Sequence, residues 1–125
     1  MRGAAELIAL RQRRRVPASV VLSLHDRPGQ RADEAWLMPG PGDTPKTADL
    51  RPLVGLRVVV AGPAHQAAAV SEWSAAAEQA GALIVMGYAT DGPLRNALPV
   101  YAGGDINELS RRIAALEAEH GADAA

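Results

Sequence analysis

The residues best suited to chemistry in this chain are a glycine and a histidine that follow an apolar run. Gly62 comes directly after Arg57–Ala61 (RVVVA), and His65 stands three residues later. A strand that ends in glycine and opens a helix directs unpaired backbone N–H groups and a positive dipole end at whatever lies above it, which suits a phosphate group. A histidine beside such a helix start can donate a hydrogen bond or transfer a proton. Gly62 and His65 are therefore candidate ligand-binding residues.

The spacing around Gly62 departs from the known phosphate-binding motifs. A dinucleotide fingerprint, G-x-G-x-x-G, requires two further glycines, whereas residues 63–66 read PAHQ. No lysine stands near, as a P-loop would require, and Pro63 lacks the N–H that a phosphate would accept. The sequence favours Gly62-Pro63 as a turn between a strand and a helix over a phosphate site, and leaves the second interpretation open.

A second group of polar residues follows the next apolar segment. Arg95 could hold an anion, Asp91 could act as an acid, a base or a ribose acceptor, and Asn96 could orient a ligand. If the strands are parallel, these residues share an edge of the sheet with Gly62, Gly103 and Gly104. The alternative is a solvated loop in which residues 91–93 (DGP) form a turn.

Four arginines stand close together in Arg11–Arg15, RQRRR. Such runs bind phosphate backbones, and cations also favour the last turn of a helix for reasons of dipole alone. In a helix continued at about 100° per residue, three of the arginines fall on the side of Leu7 and extend past the core. The candidates for contact with a protein, an anionic ligand or nucleic acid are Arg11, Arg13, Arg14 and Arg15.

The charge of the chain is divided unevenly. Residues 1–32 contain seven arginines and two acidic residues, a balance of +5, while the remainder contains six basic and twelve acidic residues, a balance of −6. This division could attract an anionic partner to one end of the chain, or it could pair the two halves of the chain with each other. Trp36 lies between these regions, beside the loop 39–45 (PGPGDTP), and an exposed tryptophan there would mark a protein contact. Trp73, at helical spacing with several alanines, is instead expected to pack between a helix and the sheet.

Several classes of site are disfavoured by composition. The chain has no cysteine, which excludes disulfides, thiolate zinc sites and cysteine nucleophiles. Its three histidines, at positions 25, 65 and 120, lack metal-binding spacing, so neither a metal nor a cofactor is predicted. Because residues 1–10 lack a long apolar centre and no apolar run could span a bilayer, the sequence predicts no signal peptide, no membrane contact and a cytoplasmic location.

Apolar periodicity, turn residues and caps predict an alternation of helices and strands. The expected elements are a helix over 4–12, a strand over 18–24, an antiparallel return over 34–38, an irregular loop over 39–53, a strand over 56–61, a helix over 64–80 ending at Gly81, strands over 82–88 and 99–102, and a helix over 105–116 capped by Asp105.

Continuous apolar strands alternating with helices indicate a parallel sheet covered on both faces. The sequence thus predicts a small three-layer, Rossmann-like α/β half-domain with an N-terminal helix and an antiparallel hairpin. It forms one domain over 1–125, with an N-terminal part (1–53), a βαβ core (54–120) and a flexible tail (121–125). The leading functional hypothesis is a non-catalytic module that binds protein or self-associates. The alternatives are a small-molecule or nucleotide-binding enzyme and a nucleic-acid accessory protein.

Overall fold

The computed structural model describes residues 2–17, 19–25, 34–91, 98–101 and 111. In these ranges the chain forms helices α1 (Ala4–Gln12) and α2 (Ala67–Gln79), strands β1 (Ser19–Ser23), β2 (Glu34–Leu37), β3 (Arg57–Gly62), β4 (Ile84–Ala89) and β5 (Leu98–Tyr101), and short 3-10 turns at Arg51–Leu53 and Ala64–Gln66. The predicted bounds of α1 are confirmed, and those of α2 and the strands differ by a few residues. The helix predicted over 105–116 lies outside the described residues.

The five strands form one sheet in the order β2-β1-β3-β4-β5. Strands β1 to β4 are parallel, and β5 alone runs antiparallel to its neighbour β4. The predicted α/β class with a mostly parallel sheet is confirmed. The strand order reverses between β1 and β3, and in open α/β sheets a ligand crevice lies outside the carboxyl ends of the two strands at such a point.

The predicted antiparallel hairpin between β1 and β2 is wrong. These strands pair in parallel, with Ser19 opposite Glu34 and Leu22 opposite Leu37. The hairpin was expected because residues 25–33 (HDRPGQRAD), which separate the two strands, are rich in turn-forming residues. Among the five described strands, the one antiparallel pair lies at the other end of the sheet, between β4 and β5. Outside the strands, Arg2 and Met38 form an isolated antiparallel bridge just after β2.

The side chains of the strands alternate between two faces of the sheet. The larger apolar cluster lies on the face that α1 and α2 cover, and it includes Leu7, Val60 and Trp73. Trp73 is only 5 % exposed, which confirms its predicted position between helix and sheet. The smaller cluster lies on the opposite face and consists of Val21, Val59, Ala61 and Met86, with Trp36 and Tyr88 packed against it. Neither described helix has the length and apolar composition needed to cross a bilayer.

Helix α2 is bounded by residues that the sequence identifies. Pro63 is extended and precedes the 3-10 turn that leads into the helix. At the other end, Gly81 has a φ of +106°, and the N–H groups of Gly81 and Ala82 donate to the carbonyls of Glu78 and Ala77. This pattern is a Schellman motif, which confirms Gly81 as the predicted residue just beyond the helix end. The helix therefore runs from the carboxyl ends of the parallel strands to their amino ends.

Candidate functional site

The carboxyl ends of β3 and β4 bring Gly62 and Asp91 together. The N–H of Thr90 donates to the carbonyl of Gly62 at 2.9 Å, and the N–H of Ala64 donates to Oδ1 of Asp91 at 3.0 Å. The Asp91 carboxylate thus accepts one of the free N–H groups at the start of α2. A phosphate bound at this helix start would have to displace that carboxylate, since both groups use the same donor and the same positive dipole end.

Close packing accounts for the glycine at position 62. A Cβ atom there would lie 2.8 Å from Cγ2 of Val70 and 3.3 Å from Cβ of Leu24. Leu24 follows β1, and its N–H donates to the carbonyl of Ala61 at 2.8 Å. An apolar side chain therefore stands beside Gly62 at the point where the strand order reverses. This geometry agrees with the interpretation of Gly62-Pro63 as a strand-to-helix turn.

The histidines near this edge are spread along it. His65 is exposed in the 3-10 turn, with its Nε2 3.5 Å from Nε2 of Gln66. His25 is partly buried after β1, where its backbone N–H donates to Oγ of Ser23 at 3.2 Å. Among the described residues, no group of three potential metal ligands is present. The other predicted members of the cleft, Arg95, Asn96, Gly103 and Gly104, and the third histidine, His120, lie outside the described residues.

The arginine run begins inside α1 and continues beyond its end. Nη1 of Arg11 donates to the carbonyl of Pro52 at 2.6 Å, so that this side chain joins α1 to the turn before β3. The helix ends at Gln12, and Arg14 adopts a left-handed conformation with a φ of 57°. Arg13, Arg14 and Arg15 are exposed. Arg11 thus has a structural contact, while the other three arginines remain accessible to a partner.

Trp36 differs from the exposed aromatic residue that the sequence suggested. It lies on the edge strand β2, is partly buried, and packs against the smaller apolar cluster of the sheet. Much of its surface is therefore already used within the fold, which makes it a weaker candidate for a partner contact than an exposed tryptophan would be.

The opposite edge of the sheet carries a surface that the sequence reasoning missed. Four large aliphatic side chains are exposed among the described residues: Ile8, at 42 %, and Val16, Val54 and Leu83, at 58 %, 45 % and 68 %. The last three precede β1, β3 and β4. Because these strands are parallel, their amino ends meet at one edge of the sheet.

Backbone hydrogen bonds join the segments that carry two of these aliphatic residues. The N–H of Gly55 donates to the carbonyl of Gly81 at 2.8 Å, and the N–H of Leu83 donates to the carbonyl of Leu56 at 2.9 Å. The segments that carry Val54 and Leu83 are therefore neighbours. Exposed arginines stand in the same segments. We name this surface the amino rim and define it as Arg13, Arg14, Arg15, Val16, Val54, Arg57 and Leu83.

A groove lies next to the amino rim, between α2 and the segment before β3. Its volume is about 1010 Å³, and its helical wall is Glu72, Ala75, Ala76, Gln79 and Ala80. The other wall consists of residues 44–46 and 48–51. We name it the α2 groove. Because α2 ends at the amino ends of the strands, the Ala80 end of the groove opens beside Gly81 and the amino rim.

Charged residues of the α2 groove are partly paired. Arg51 donates through Nε and Nη2 to the two carboxylate oxygens of Asp49, at 2.9 and 2.8 Å. The side-chain hydrogen bonds from Arg51 lower the pKa of Asp49 to about 2. Lys46 and Glu72 are exposed on opposite walls. The groove therefore combines an alanine-rich helical wall with charges of both signs at its margins.

Comparison with protein-family models, with curated proteins and with solved structures finds no match for this chain.

Proposed function

We propose that this chain is a non-catalytic α/β module that binds another protein through the amino rim. The observation that carries the proposal is the grouping of Val16, Val54 and Leu83, three of the four large aliphatic side chains exposed among the described residues, at one edge of the sheet. Scattered exposed aliphatic residues need no explanation, but a group rimmed by polar residues is typical of a protein interface.

The arrangement of residue types supports the same function. Interfaces commonly have an apolar centre within a polar border, and arginine is enriched there because its stem packs while its guanidinium forms hydrogen bonds. The segments that carry Val54 and Leu83 are joined by the Gly55–Gly81 bond, and Arg57 follows Val54 after two residues. Burial of these aliphatic groups in a complex would contribute about 25 cal/mol per Å² of apolar surface.

A small-molecule site at the carboxyl edge has less support. Asp91 already accepts the N–H of Ala64, and Leu24 and Val70 approach Gly62 closely. A ligand anion would compete with a carboxylate that belongs to the fold. The predicted nucleic-acid role is also less favoured, since the exposed aliphatic residues beside the arginines offer nothing that a phosphate backbone would bind.

Site-specific photo-crosslinking tests the proposed function. A photoreactive benzoylphenylalanine replaces Leu83 in the amino rim, Ile8 on α1, or His65 at the carboxyl edge, each in the full chain expressed in cells. All three side chains are exposed, so the fold should tolerate the replacements. Protein adducts are expected at position 83 and at neither control position. Adducts at position 65 or 8 with none at position 83 would contradict the proposal.

A further inference from the structure

The charge of the amino rim indicates what kind of protein it binds. Arg13, Arg14, Arg15 and Arg57 are exposed, and the rim segments 13–17, 54–57 and 81–84 contain no acidic residue. Within the described residues, no carboxylate forms an ion pair with any of these arginines, and the one such pair described joins Arg51 to Asp49. The rim thus presents at least four positive charges around its aliphatic residues.

Two carboxylates near the amino rim are bonded elsewhere. Asp49 is held by Arg51, and Glu78 accepts a hydrogen bond from the hydroxyl of Tyr101. A symmetric contact between two copies of the rim would place arginines against arginines, which is unfavourable because like charges repel. The carboxylates that complement the rim must therefore come from a different surface.

We propose that the amino rim and the adjoining α2 groove bind an acidic amphipathic segment of another protein, an inference that rests on the proposed function. Its carboxylates pair with the rim arginines, and its aliphatic side chains cover Val54 and Leu83. The segment continues into the α2 groove, where Ala75, Ala76 and Ala80 let a partner backbone approach closely. The helical wall from Glu72 to Ala80 is about 12 Å long, at 1.5 Å per residue, which suits two turns of a partner helix.

The groove favours a polypeptide over the other polyanions that arginines attract. The groove margins carry two basic and two acidic residues, so the groove has no net positive charge to attract a phosphate backbone or an anionic lipid surface. A protein segment can instead place a residue of the matching sign beside each of these charges. The alanine-rich helical wall likewise suits side chains rather than phosphates. Electrostatic complementarity of this kind speeds association and selects the partner.

Titration with synthetic probes tests the proposed partner class. The probe is a peptide helix with leucine and alanine on one face and glutamate on the other, added to the full chain and followed by calorimetry. Its controls are the same peptide with lysine for glutamate, polyglutamate, a short DNA duplex, and phosphatidylserine vesicles. Saturable binding is expected for the leucine–glutamate helix and should weaken about tenfold between about 0.1 M and about 0.5 M NaCl.

Two pairs of substitutions separate charge from apolar contact. Arg13→Gln with Arg57→Gln should weaken peptide binding about tenfold. The matched control, Arg2→Gln with Arg111→Gln, removes two exposed arginines outside the rim and should leave the affinity unchanged. Val54→Ser with Leu83→Ser keeps the charge of the rim. This double substitution should weaken binding of the leucine–glutamate helix and leave any binding of polyglutamate unaltered. Circular dichroism on each variant verifies that it is folded.

The outcomes distinguish failure of the inference from failure of the proposed function. If crosslinks form at position 83 but the substitutions of Arg13 and Arg57 leave peptide binding unchanged, the rim still binds protein and the inference of an acidic partner is wrong. Tighter binding of DNA, vesicles or polyglutamate than of the leucine–glutamate helix would also overturn it. A crosslinked adduct between two copies of this chain at position 83 would replace the separate partner with self-association.

Discussion

At the scale of single residues, Asp91 makes a structural contact at the carboxyl edge of the sheet. Its carboxylate accepts the N–H of Ala64 at 3.0 Å and so joins the end of β4 to the first turn before α2. A negative charge at this position also interacts favourably with the positive end of the helix. The residue therefore does for the fold what a bound phosphate does in many other α/β proteins.

Replacing Asp91 should reveal this capping role. Asp91→Ala is expected to lower the free energy of unfolding by about 1 kcal/mol, since it removes the acceptor for the Ala64 N–H. Asp91→Asn keeps an acceptor oxygen without the charge and should lower the unfolding free energy less. Urea denaturation of the three proteins measures the difference. An Ala variant as stable as the parent would show that the hydrogen bond contributes nothing.

Arg14 is a second residue whose backbone determines its effect. Its φ of 57° places it just beyond α1 in the left-handed region, and the N–H groups of Arg14 and Arg15 donate to the carbonyls of Arg11 and Leu10. This is the same helix ending as at Gly81, but with a side chain where glycine is preferred.

Arg14→Gly should therefore stabilise the protein, by about 0.5–1 kcal/mol. Arg13→Gly provides the matched control, since Arg13 has a φ of −84° and gains nothing from glycine there. Thermal unfolding of the two variants and the parent measures the effect. Equal loss of stability in both variants would mean that the left-handed conformation at Arg14 carries no cost.

At the scale of elements, two glycines allow α2 to lie close to the sheet. Gly62 on β3 and Gly87 on β4 both face Val70, and a Cβ at Gly87 would lie 2.5 Å from Oγ of Ser74 and 3.0 Å from Cγ1 of Val70. Ser74 is fully buried, and its hydroxyl donates to the carbonyl of Val70 at 2.7 Å. The nearest neighbour of Gly87 is thus buried and held by a hydrogen bond, so an added Cβ would displace packed atoms.

Gly87→Ala should lower the unfolding free energy by about 1–3 kcal/mol, the usual cost of an added methyl group in a packed core. Combining it with Ser74→Ala, which removes the nearest atom, should recover part of the loss. Gly42→Ala is the control, because a Cβ at Gly42 meets nothing within 4 Å. Denaturant titrations compare the four proteins, and a Gly87→Ala variant no weaker than Gly42→Ala would contradict the packing argument.

The sequence was informative where an element carries its own signals. Helix α2 could be predicted because its alanine-rich run ends at Gly81, and β3 and β4 because each is a continuous apolar segment. The direction of β2 could not be predicted. The side chains of Ala35, Trp36 and Leu37 alternate between the two faces of the sheet in the same way in a parallel and in an antiparallel strand. Only its partner β1 fixes the direction, through the register Val20–Ala35 and Leu22–Leu37.

Residues at the carboxyl edge of the sheet were predictable from the sequence, whereas those at the amino edge were not predicted. Gly62 and Asp91 were expected together because both follow apolar strands, and parallel strands end at one edge. The amino rim was missed, since Val16, Val54 and Leu83 are far apart in the sequence and none belongs to a motif. The same rule of parallel strands could have revealed it, had it been applied to the residues that precede the strands.

At the scale of the whole molecule, the two ends of the sheet differ in how many of their groups make contacts within the fold. At the carboxyl edge, the Asp91 carboxylate accepts the N–H of Ala64, and Leu24 and Val70 pack around Gly62. The amino edge exposes Leu83 and arginines to solvent. Because β3 pairs with β1, Arg57 lies on the same edge of the sheet as the arginines that precede β1. The positive surface is therefore formed by residues that are far apart in the sequence.

At alkaline pH, the stability of the fold should depend on a contact between α2 and β5. The hydroxyl of Tyr101 donates a hydrogen bond to Oε2 of Glu78. This bond, together with burial and the negative charge of Glu78, raises the pKa of Tyr101 from 10.0 to about 12. The folded state therefore retains the phenolic proton over a range of pH in which the unfolded chain has already released it.

The resulting stability is fully present below about pH 10 and is lost as the pH rises from 10 towards 12, because only the unfolded state gains from deprotonation there. Tyr101→Phe should be less stable at neutral pH, for lack of the hydrogen bond, and should lose less stability than the parent on going to high pH. Urea midpoints measured near pH 8 and near pH 11 give both slopes. Every other ionisable group is present in both proteins, so the difference between the slopes belongs to Tyr101. Parallel slopes would mean that Glu78 does not hold the phenolic proton.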